Sequence, residues 1–210
     1  MGLLSQHEHV WGTQGIHPHH ADEYTDEVDA KIRGNAQHEK VRAIGEIGLD
    51  YYYDHSDRAK QRAAFERQLQ ISIDLELPIV VHTRDADEDT QAILNNFVGQ
   101  MPKRGVIHSF TSGKDLAEYC LGEGFHLGFN GISTFNRAEN VREIVALTPV
   151  EQILFETDAP YLTPVPYRGR TNEPKYLPFI AEHIAKVKDV PVEALLPIVW
   201  KNSMELFFAK

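Results

Sequence analysis

Val-Arg-Ala-Ile-Gly-Glu-Ile-Gly-Leu-Asp, residues 41–50, is the stretch that decides the fold. It predicts a strand from Val41 to Ile47, an apolar run near whose end Glu46 lies between glycines. A buried carboxylate is stable only beside a cation or several hydrogen-bond donors. We therefore interpret this strand as buried and Glu46, at its end, as a functional residue.

Five further runs share the short, apolar character of residues 41–47 and are bounded by glycine, proline or charge, as buried parallel strands are. These predicted strands are Val10 to Gly15, Pro78 to His82, Gly105 to His108, Phe125 to Asn130 and Gln152 to Glu156.

Helix-length segments lie between and after the strands. In the segment 58–75, Phe65, Leu69 and Ile73 recur at four-residue steps and predict one buried stripe. Apolar residues at helical spacing also predict helices over residues 177–187 and 192–208.

Strands that alternate with helices indicate βαβ units and a parallel sheet, either doubly wound or closed as a barrel. The sequence lacks the glycine fingerprint of a dinucleotide fold and the phosphate loop GxxxxGK[ST]. Polar residues instead end almost every predicted strand, as in (β/α) barrels. We predict an α/β fold of the TIM-like barrel type, as one domain over residues 1–210.

Composition narrows the class of protein. The 210 residues carry a net charge of −10, which argues against a passive nucleic-acid-binding module but not against a metal enzyme built from carboxylates. The N-terminus has no signal-peptide pattern, and no apolar run is long enough to cross a membrane. A single cysteine, Cys120, makes no internal disulfide, so we expect a cytoplasmic protein.

Four residues with metal-ligand chemistry stand where predicted strands stop: Glu46, His82, His108 and Asp158. Taken singly, each histidine is more often structural, and Asp158 serves equally well as the N-cap of a following helix. The conjunction predicts one site, because the carboxyl ends of parallel barrel strands meet at one mouth. Carboxylates and imidazoles suit zinc, manganese or magnesium.

In six ordered motifs, the sequence from about Gly15 onward resembles the TatD family of metal-dependent hydrolases. The matching segments are Gly15-Ile16-His17-Pro18-His19, residues 45–51, residues 78–86, His108-Ser109-Phe110 with Gly113, Glu156-Thr157-Asp158-Ala159-Pro160, and Arg168-Gly169 with Asn172-Glu173-Pro174.

The resemblance implies an amidohydrolase-like barrel with one or two divalent metal ions, magnesium first and manganese or zinc as alternatives. Family members are DNases, described as 3′-to-5′ exonucleases on DNA and sometimes RNA. Carried over by motif, Glu46 bridges two metals, His82 and His108 hold one, and Asp158 binds the other and acts as general base. The same motifs imply substrate contacts by four residues, with His17 and Arg168 on phosphate: His17, Arg168, Asn172 and Glu173.

The sequence departs from the family pattern at its start. The family opens with a strand ending in His-x-His, which is not matched here, so we expect a barrel with about six of its eight strands. His7 and His9 precede the first predicted strand and lie at its wrong end for the site, so we predict a surface position for them.

Three hypotheses stay open. The first is a deoxyribonuclease that cleaves phosphodiester bonds with metal-activated water, with DNA or RNA as substrate and no obligate protein partner. The second is an amidohydrolase or esterase acting on a small molecule, since fold does not fix substrate. The third is an inactive remnant. Positive residues on predicted mouth loops favour the first: Arg84, Arg137, Arg168, Arg170 and Lys175.

Overall fold

The computed structural model describes residues 2–209 of the chain. The chain forms two compact units, one comprising the residues up to Val106 together with the last residues from Leu206, the other Ile107–Glu205. The assignment of one domain to residues 1–210 stays a prediction.

The first unit alternates helices and strands. Its elements are α1 (Gly2–Gln6), β1 (Gly12–Gln14), α2 (Asp26–Ala36), β2 (Val41–Asp50), α3 (Arg58–Asp74), β3 (Ile79–Arg84) and α4 (Asp87–Phe97). A 3-10 helix, Pro18–Glu23, follows β1. The strand β4 (Gly105–Ile107) contains the division between the units.

The second unit continues the alternation. Its elements are α5 (Lys114–Gly122), β5 (His126–Phe129), α6 (Glu139–Leu147), β6 (Ile153–Phe155), α7 (Leu177–Val187) and α8 (Val192–Phe208), of which residues 206–208 belong to the first unit. A 3-10 helix, Gly131–Thr134, follows β5.

The strand order follows the chain, β1-β2-β3-β4-β5-β6. The pairs β1–β2 and β2–β3 of the first unit are parallel, as is β5–β6 of the second. Each predicted strand is confirmed in position, and the alternation confirms the α/β class. The apolar runs predict the strands correctly because the strands are buried: Ile44, Ile47 and Ile79 are fully inaccessible to solvent.

The helix α3 confirms the predicted segment but corrects its buried stripe. Phe65 and Leu69 are fully buried, whereas Ile73 is only partly buried. A step of four residues advances beyond one full turn of 3.6 residues, so a stripe built from such steps drifts off the core. Two glutamines, Gln61 and Gln68, occupy the buried face instead.

Two smaller expectations are also decided. His7 and His9 follow α1 and are exposed, which confirms their predicted surface position. Among residues 2–209, no helix is long and apolar enough to span a bilayer.

Candidate metal centre

Glu46 lies within β2 and not at its end, because the strand continues to Asp50. Gly45 aligns with Val80 of β3 and Ile47 with Val81, so Glu46 is an extra residue between two consecutive pairs. A bulge of this kind re-aims a side chain that regular alternation would send elsewhere. The Glu46 side chain is 33% exposed, so its carboxylate is open to a ligand.

His82 also lies inside its strand, since β3 continues to Arg84. Its imidazole is held between two carboxylates, with Nδ1 3.1 Å from Oε1 of Glu46 and Nε2 2.9 Å from Oδ2 of Asp50. An imidazole that donates one N–H to a carboxylate has a fixed tautomer and can present the other nitrogen to a metal. Asp50 therefore orients His82 so that Nδ1 faces Glu46.

Asp50 is the residue that sequence reasoning missed in this unit. Its side chain is fully buried and accepts four N–H groups: those of His19 and His82 at 2.8 and 2.9 Å, and the backbone N–H groups of Tyr52 and Tyr53 at 3.1 and 2.8 Å. Burial alone would raise the pKa of Asp50, but the N–H of Tyr53 and the two imidazoles outweigh it and lower the pKa. The carboxylate therefore stays ionised as a fixed acceptor.

His17 and His19 flank Pro18 at the start of the 3-10 helix. The backbone N–H of His19 donates to Nδ1 of His17 at 3.2 Å, and Nε2 of His17 lies 3.6 Å from Oε1 of Glu46. Since Nδ1 accepts a hydrogen bond, the neutral ring carries its proton on Nε2. His17 thus presents an N–H donor beside Glu46, and its predicted contact with phosphate stays a prediction.

His19 contacts Asp50, the carboxylate that also orients His82. Burial lowers the pKa of His19, a trend that the hydrogen bond to Asp50 opposes. The ligand-type atoms of His17, His19 and His82 lie within 4.8 Å of one another, which makes this edge of the unit rich in imidazole.

The two buried glutamines of α3 hold the backbone at Asp50 and just before His17 through hydrogen bonds. The side-chain oxygen of Gln61 accepts the N–H of Asp50 at 2.8 Å. Gln68 accepts the N–H of Ile16 at 2.6 Å and donates to its carbonyl at 3.1 Å, which holds the backbone just before His17. Gln61 and Gln68 are two helical turns apart, so one face of α3 positions both segments.

Gly48 is required where β2 passes His82. Its φ is 134°, and a Cβ at this position would lie 2.0 Å from the carbonyl oxygen of His82. Only glycine adopts this backbone conformation beside a neighbouring strand without a clash. The second glycine of the Gly-Glu-Ile-Gly pattern therefore permits the close pairing that brings His82 to Asp50.

The second unit contains a similar imidazole and carboxylate arrangement. His108 follows β4 directly, with Nδ1 3.1 Å from Oε2 of Glu156 and Nε2 4.0 Å from Oδ1 of Asp158. Glu156 also accepts the backbone N–H of Ser109. Glu156 thus orients His108 as Asp50 orients His82, with the other ring nitrogen toward Asp158.

Close packing and unusual backbone geometry support this arrangement. Ser109 and Asp158 have φ of 48° and 56°, a left-handed conformation that costs a non-glycine residue about 1–3 kcal/mol and is common at functional sites. A Cβ on Gly128 would lie 2.7 Å from Oε2 of Glu156, so glycine at this position leaves room for the carboxylate. The sequence places Glu156 in a family motif but does not predict its contact with His108.

Asp158 is not a helix N-cap. The residues after it form turns, and the next helical segment of the described chain begins at Pro174. Asn172 braces this turn: its side-chain amide donates to the carbonyls of Thr157 and Tyr161 at 2.7 and 2.6 Å. The N-cap alternative is therefore wrong, and the turn presents Asp158 instead.

The remaining predicted substrate residues lie on the same loop as Asn172. Asn172 is 2% exposed with its amide used inside the loop, so its contact with substrate stays a prediction. Glu173 is exposed and pairs with Lys175 at 2.7 Å. Arg168 is exposed and lies over the ring of Phe135, with Cζ 3.6 Å from the ring centroid.

The donor set of the first unit fits a divalent metal. Ligand atoms bound to one ion at about 2.0–2.2 Å lie about 3–3.5 Å from each other. The 3.1 Å separation of Nδ1 of His82 from Oε1 of Glu46 matches this spacing. One imidazole and one carboxylate, with a carboxylate behind the imidazole, form the kind of half-site that zinc, manganese or magnesium accepts.

Comparison with known proteins agrees with this geometry. The family model described as TatD related DNase matches residues 2–208, and the chain belongs to this family. The predicted family and its enzyme class, a metal-dependent hydrolase acting on ester bonds, are thereby confirmed.

Relatives and solved structures extend the match. An uncharacterized metal-dependent hydrolase, YabD of Bacillus subtilis, is 38% identical over 99% of this chain and 81% of its own length. The protein named 3′-5′ ssDNA/RNA exonuclease TatD of Erwinia tasmaniensis is 37% identical over 99% of this chain and 82% of its own length. The crystal structure of YJJV, a TatD homolog from Escherichia coli, superimposes with a TM-score of 0.92 at 25% identity, covering 100% of this chain and 81% of that one. This likeness confirms the predicted TIM-like fold class.

Proposed function

We propose that the protein is a divalent-metal-dependent nuclease that removes nucleotides from the 3′ ends of single-stranded DNA. The observation that carries the proposal is the position of His82, whose ring is fixed by Asp50 with Nδ1 beside the Glu46 carboxylate. Similar relatives named as 3′-5′ ssDNA/RNA exonucleases support the choice of reaction.

We assign the ligands as Glu46, His82, His108 and Asp158, for one or two ions with magnesium first. A bound divalent ion would supply Lewis acidity, which acidifies water and offsets negative charge on a phosphate. Asp158 would accept the proton of the attacking water, since its turn exposes 33% of the side chain. Asp50 and Glu156 would hold the two imidazoles in the tautomers that ligation requires.

Local arginine and histidine donors, and not the net charge of the chain, support a phosphate substrate. The chain carries a net charge of −10, so long-range attraction does not recruit a polyanion. Arginine matches phosphate oxygens with a planar set of donors, and Arg168 offers such a group on the loop of the second unit. His17 would add its Nε2–H beside Glu46. A cytoplasmic location belongs to the same proposal, because the single buried cysteine suits a reducing compartment.

The test is release of nucleotides from single-stranded DNA labelled at the 3′ end or at the 5′ end, with magnesium or manganese. We expect early release of the 3′ label, loss of activity in both Glu46→Ala and Asp158→Ala, and full activity in the control Asp54→Ala. Asp54 is an exposed carboxylate that pairs with Arg58 at the surface.

Three outcomes would count against the proposal. Equal release by wild type and both ligand variants would make the activity a contaminant. Hydrolysis of carboxylic esters or amides without nucleotide release would favour a small-molecule hydrolase. Absence of both activities in a folded, metal-loaded protein would favour an inactive remnant.

A further inference from the structure

A pocket in the second unit lies on the loops that follow β4, β5 and β6. Its volume is about 370 Å³, near the small end of the range of about 300–1,000 Å³ typical of ligand sites. The lining combines apolar side chains with amides and two arginines: Thr111, Ile132, Phe135, Asn136, Arg137, Ala138, Asn140, Val141, Val165 and Arg168. Loops at this end of these strands also carry His108 and Asp158.

We propose that this pocket binds one nucleotide of the single-stranded substrate, with its base stacked on the Phe135–Arg168 pair and its phosphate held by arginine. The proposal rests on the nuclease function proposed above and names a substrate subsite that the metal ligands do not provide.

The stacking surface is the first observation. The guanidinium of Arg168 lies over the ring of Phe135, with Cζ 3.6 Å from the centroid. Proteins that bind single strands stack bases on aromatic rings and on arginine planes, a contact that tolerates any base. In the proposed subsite, contact with the Phe135 ring would hold the Arg168 guanidinium in place and leave its N–H groups for phosphate.

The charge of the lining is the second observation. The chain as a whole carries a net charge of −10, yet the lining contains no carboxylate and two arginines. Within residues 2–209, neither Arg137 nor Arg168 forms an ion pair with a carboxylate, unlike Arg142 nearby, which pairs with Glu139 at 2.7 Å. A local site with unpaired arginines in an acidic protein fits an anionic ligand.

The rigidity of the pocket wall is the third observation. Arg142 donates to the carbonyls of Ser133 and Phe135 at 3.0 and 2.7 Å, which fixes the loop that carries the ring. The N–H of Val165, another lining residue, donates to Oγ1 of Thr134 at 2.9 Å. A preformed wall lowers the entropic cost of binding.

Asn130 connects the pocket to the His108 loop. Its buried side chain donates to Oγ of Ser109 at 2.7 Å and accepts the N–H of Ile132 at 3.0 Å. Ser109 follows His108 directly, and Ile132 lines the pocket. A nucleotide in the pocket would therefore be bound by the same rigid set of loops that positions His108.

The test measures binding of a fluorescein-labelled single-stranded octanucleotide with phosphorothioate linkages, which resist cleavage, by fluorescence anisotropy in the presence of manganese. The variants are Phe135→Leu, which keeps apolar volume but removes the ring, and Arg168→Ala. The control is Lys201→Ala, an exposed positive residue on α8 that pairs with Glu205. Phe135 is partly exposed, so the leucine variant is expected to fold.

We expect Phe135→Leu to weaken binding about tenfold, the typical effect of losing one stacked base. Arg168→Ala is expected to weaken binding as well and to reduce the slope of log affinity against log salt concentration by about 0.7, the value for one lost phosphate contact on a single strand. Lys201→Ala is expected to match wild type. In nucleotide release from ordinary DNA, Phe135→Leu should raise KM with little change in kcat.

Unchanged affinity and KM in both pocket variants would overturn the pocket proposal and leave the nuclease function standing. A wild-type protein that does not bind the octanucleotide would overturn it too. Binding that depends on Phe135 and Arg168, without any nucleotide release by wild type, would support the pocket while contradicting the proposed function.

Discussion

Replacement of Asp50 by asparagine tests how the buried carboxylate controls His82, a metal ligand in the proposed function. In wild type, Oδ1 accepts two backbone N–H groups, while Oδ2 accepts the imidazole N–H groups of His19 and His82 at 2.8 and 2.9 Å. Asparagine can keep the backbone bonds through its oxygen. Its NH₂ group then faces two N–H donors and accepts from neither.

The magnitude follows from the lost hydrogen bond. A bond between an imidazole and a buried carboxylate contributes about 1.5–3 kcal/mol. Without it, the N–H of His82 is free to move to Nδ1, the nitrogen that faces Glu46, and the ligand lone pair is lost. We therefore expect manganese affinity to fall about 10- to 100-fold, the usual effect of removing a carboxylate behind a histidine ligand.

The assay is isothermal titration of metal-free protein with manganese, with a thermal melt of each variant to establish that it is folded. Asp54→Asn is the matched control, because its exposed carboxylate pairs with Arg58 at the surface and such pairs contribute at most about 1 kcal/mol. A folded Asp50→Asn variant that binds manganese as tightly as wild type would refute the reasoning.

Three further predictions concern other parts of the chain. Glu156→Gln is expected to lower kcat/KM for nucleotide release about tenfold or more without unfolding, since His108 loses its orienting acceptor; an unchanged value would remove that function from Glu156. Asn172→Ala is expected to destabilise the protein by about 1–3 kcal/mol in urea unfolding, because two carbonyls of the Asp158 turn lose their donors; a loss confined to substrate affinity would instead indicate direct contact. Burial would raise the pKa of Asp29, but its arginine and tyrosine partners outweigh burial and lower the pKa. The stability that Asp29 contributes is therefore fully present above its unfolded pKa of about 4 and is lost as the pH falls through the lower folded pKa. Asp29→Asn should therefore be less stable than wild type at neutral pH, with the difference shrinking below about pH 4, and a difference independent of pH would contradict the assignment.

The strands could be predicted because each buried strand is a short, continuous apolar run in the sequence. Apolar runs such as Pro78 to His82 end in charge or turn residues, and the structure places a strand at each predicted run. The ends were less predictable. Glu46 and His82 interrupt apolar runs and so predict strand ends, whereas β2 and β3 continue to Asp50 and Arg84. A polar residue inside an apolar run therefore does not by itself mark the end of a strand.

The supporting residues could not be predicted because tertiary hydrogen bonds define them. Asp50 becomes an acceptor for two imidazoles only when β3 and the 3-10 helix at residues 18–23 approach it. Glu156 likewise depends on the approach of the His108 loop. A weak signal was present, since Asp50 is a carboxylate at the end of a run of buried residues. A carboxylate that is buried in this way needs several hydrogen-bond donors.

The pocket could not be predicted from the sequence either, because its lining residues come from separate loops. Phe135 and Arg168 lie 33 positions apart on loops after different strands, and neither belongs to a periodic pattern. Arg168 was predicted from its motif alone, without its ring partner. Loops carry function on a rigid scaffold, and only the scaffold shows which loops meet.

The most direct test of the metal centre is a manganese titration of nucleotide release after the protein has been stripped with chelator. We predict no release without metal, a rise that follows the bound manganese measured in the same samples, and a shift of both curves to higher manganese in Glu46→Gln. Release at the wild-type rate in excess chelator, or a Glu46→Gln variant with unchanged curves, would contradict the account.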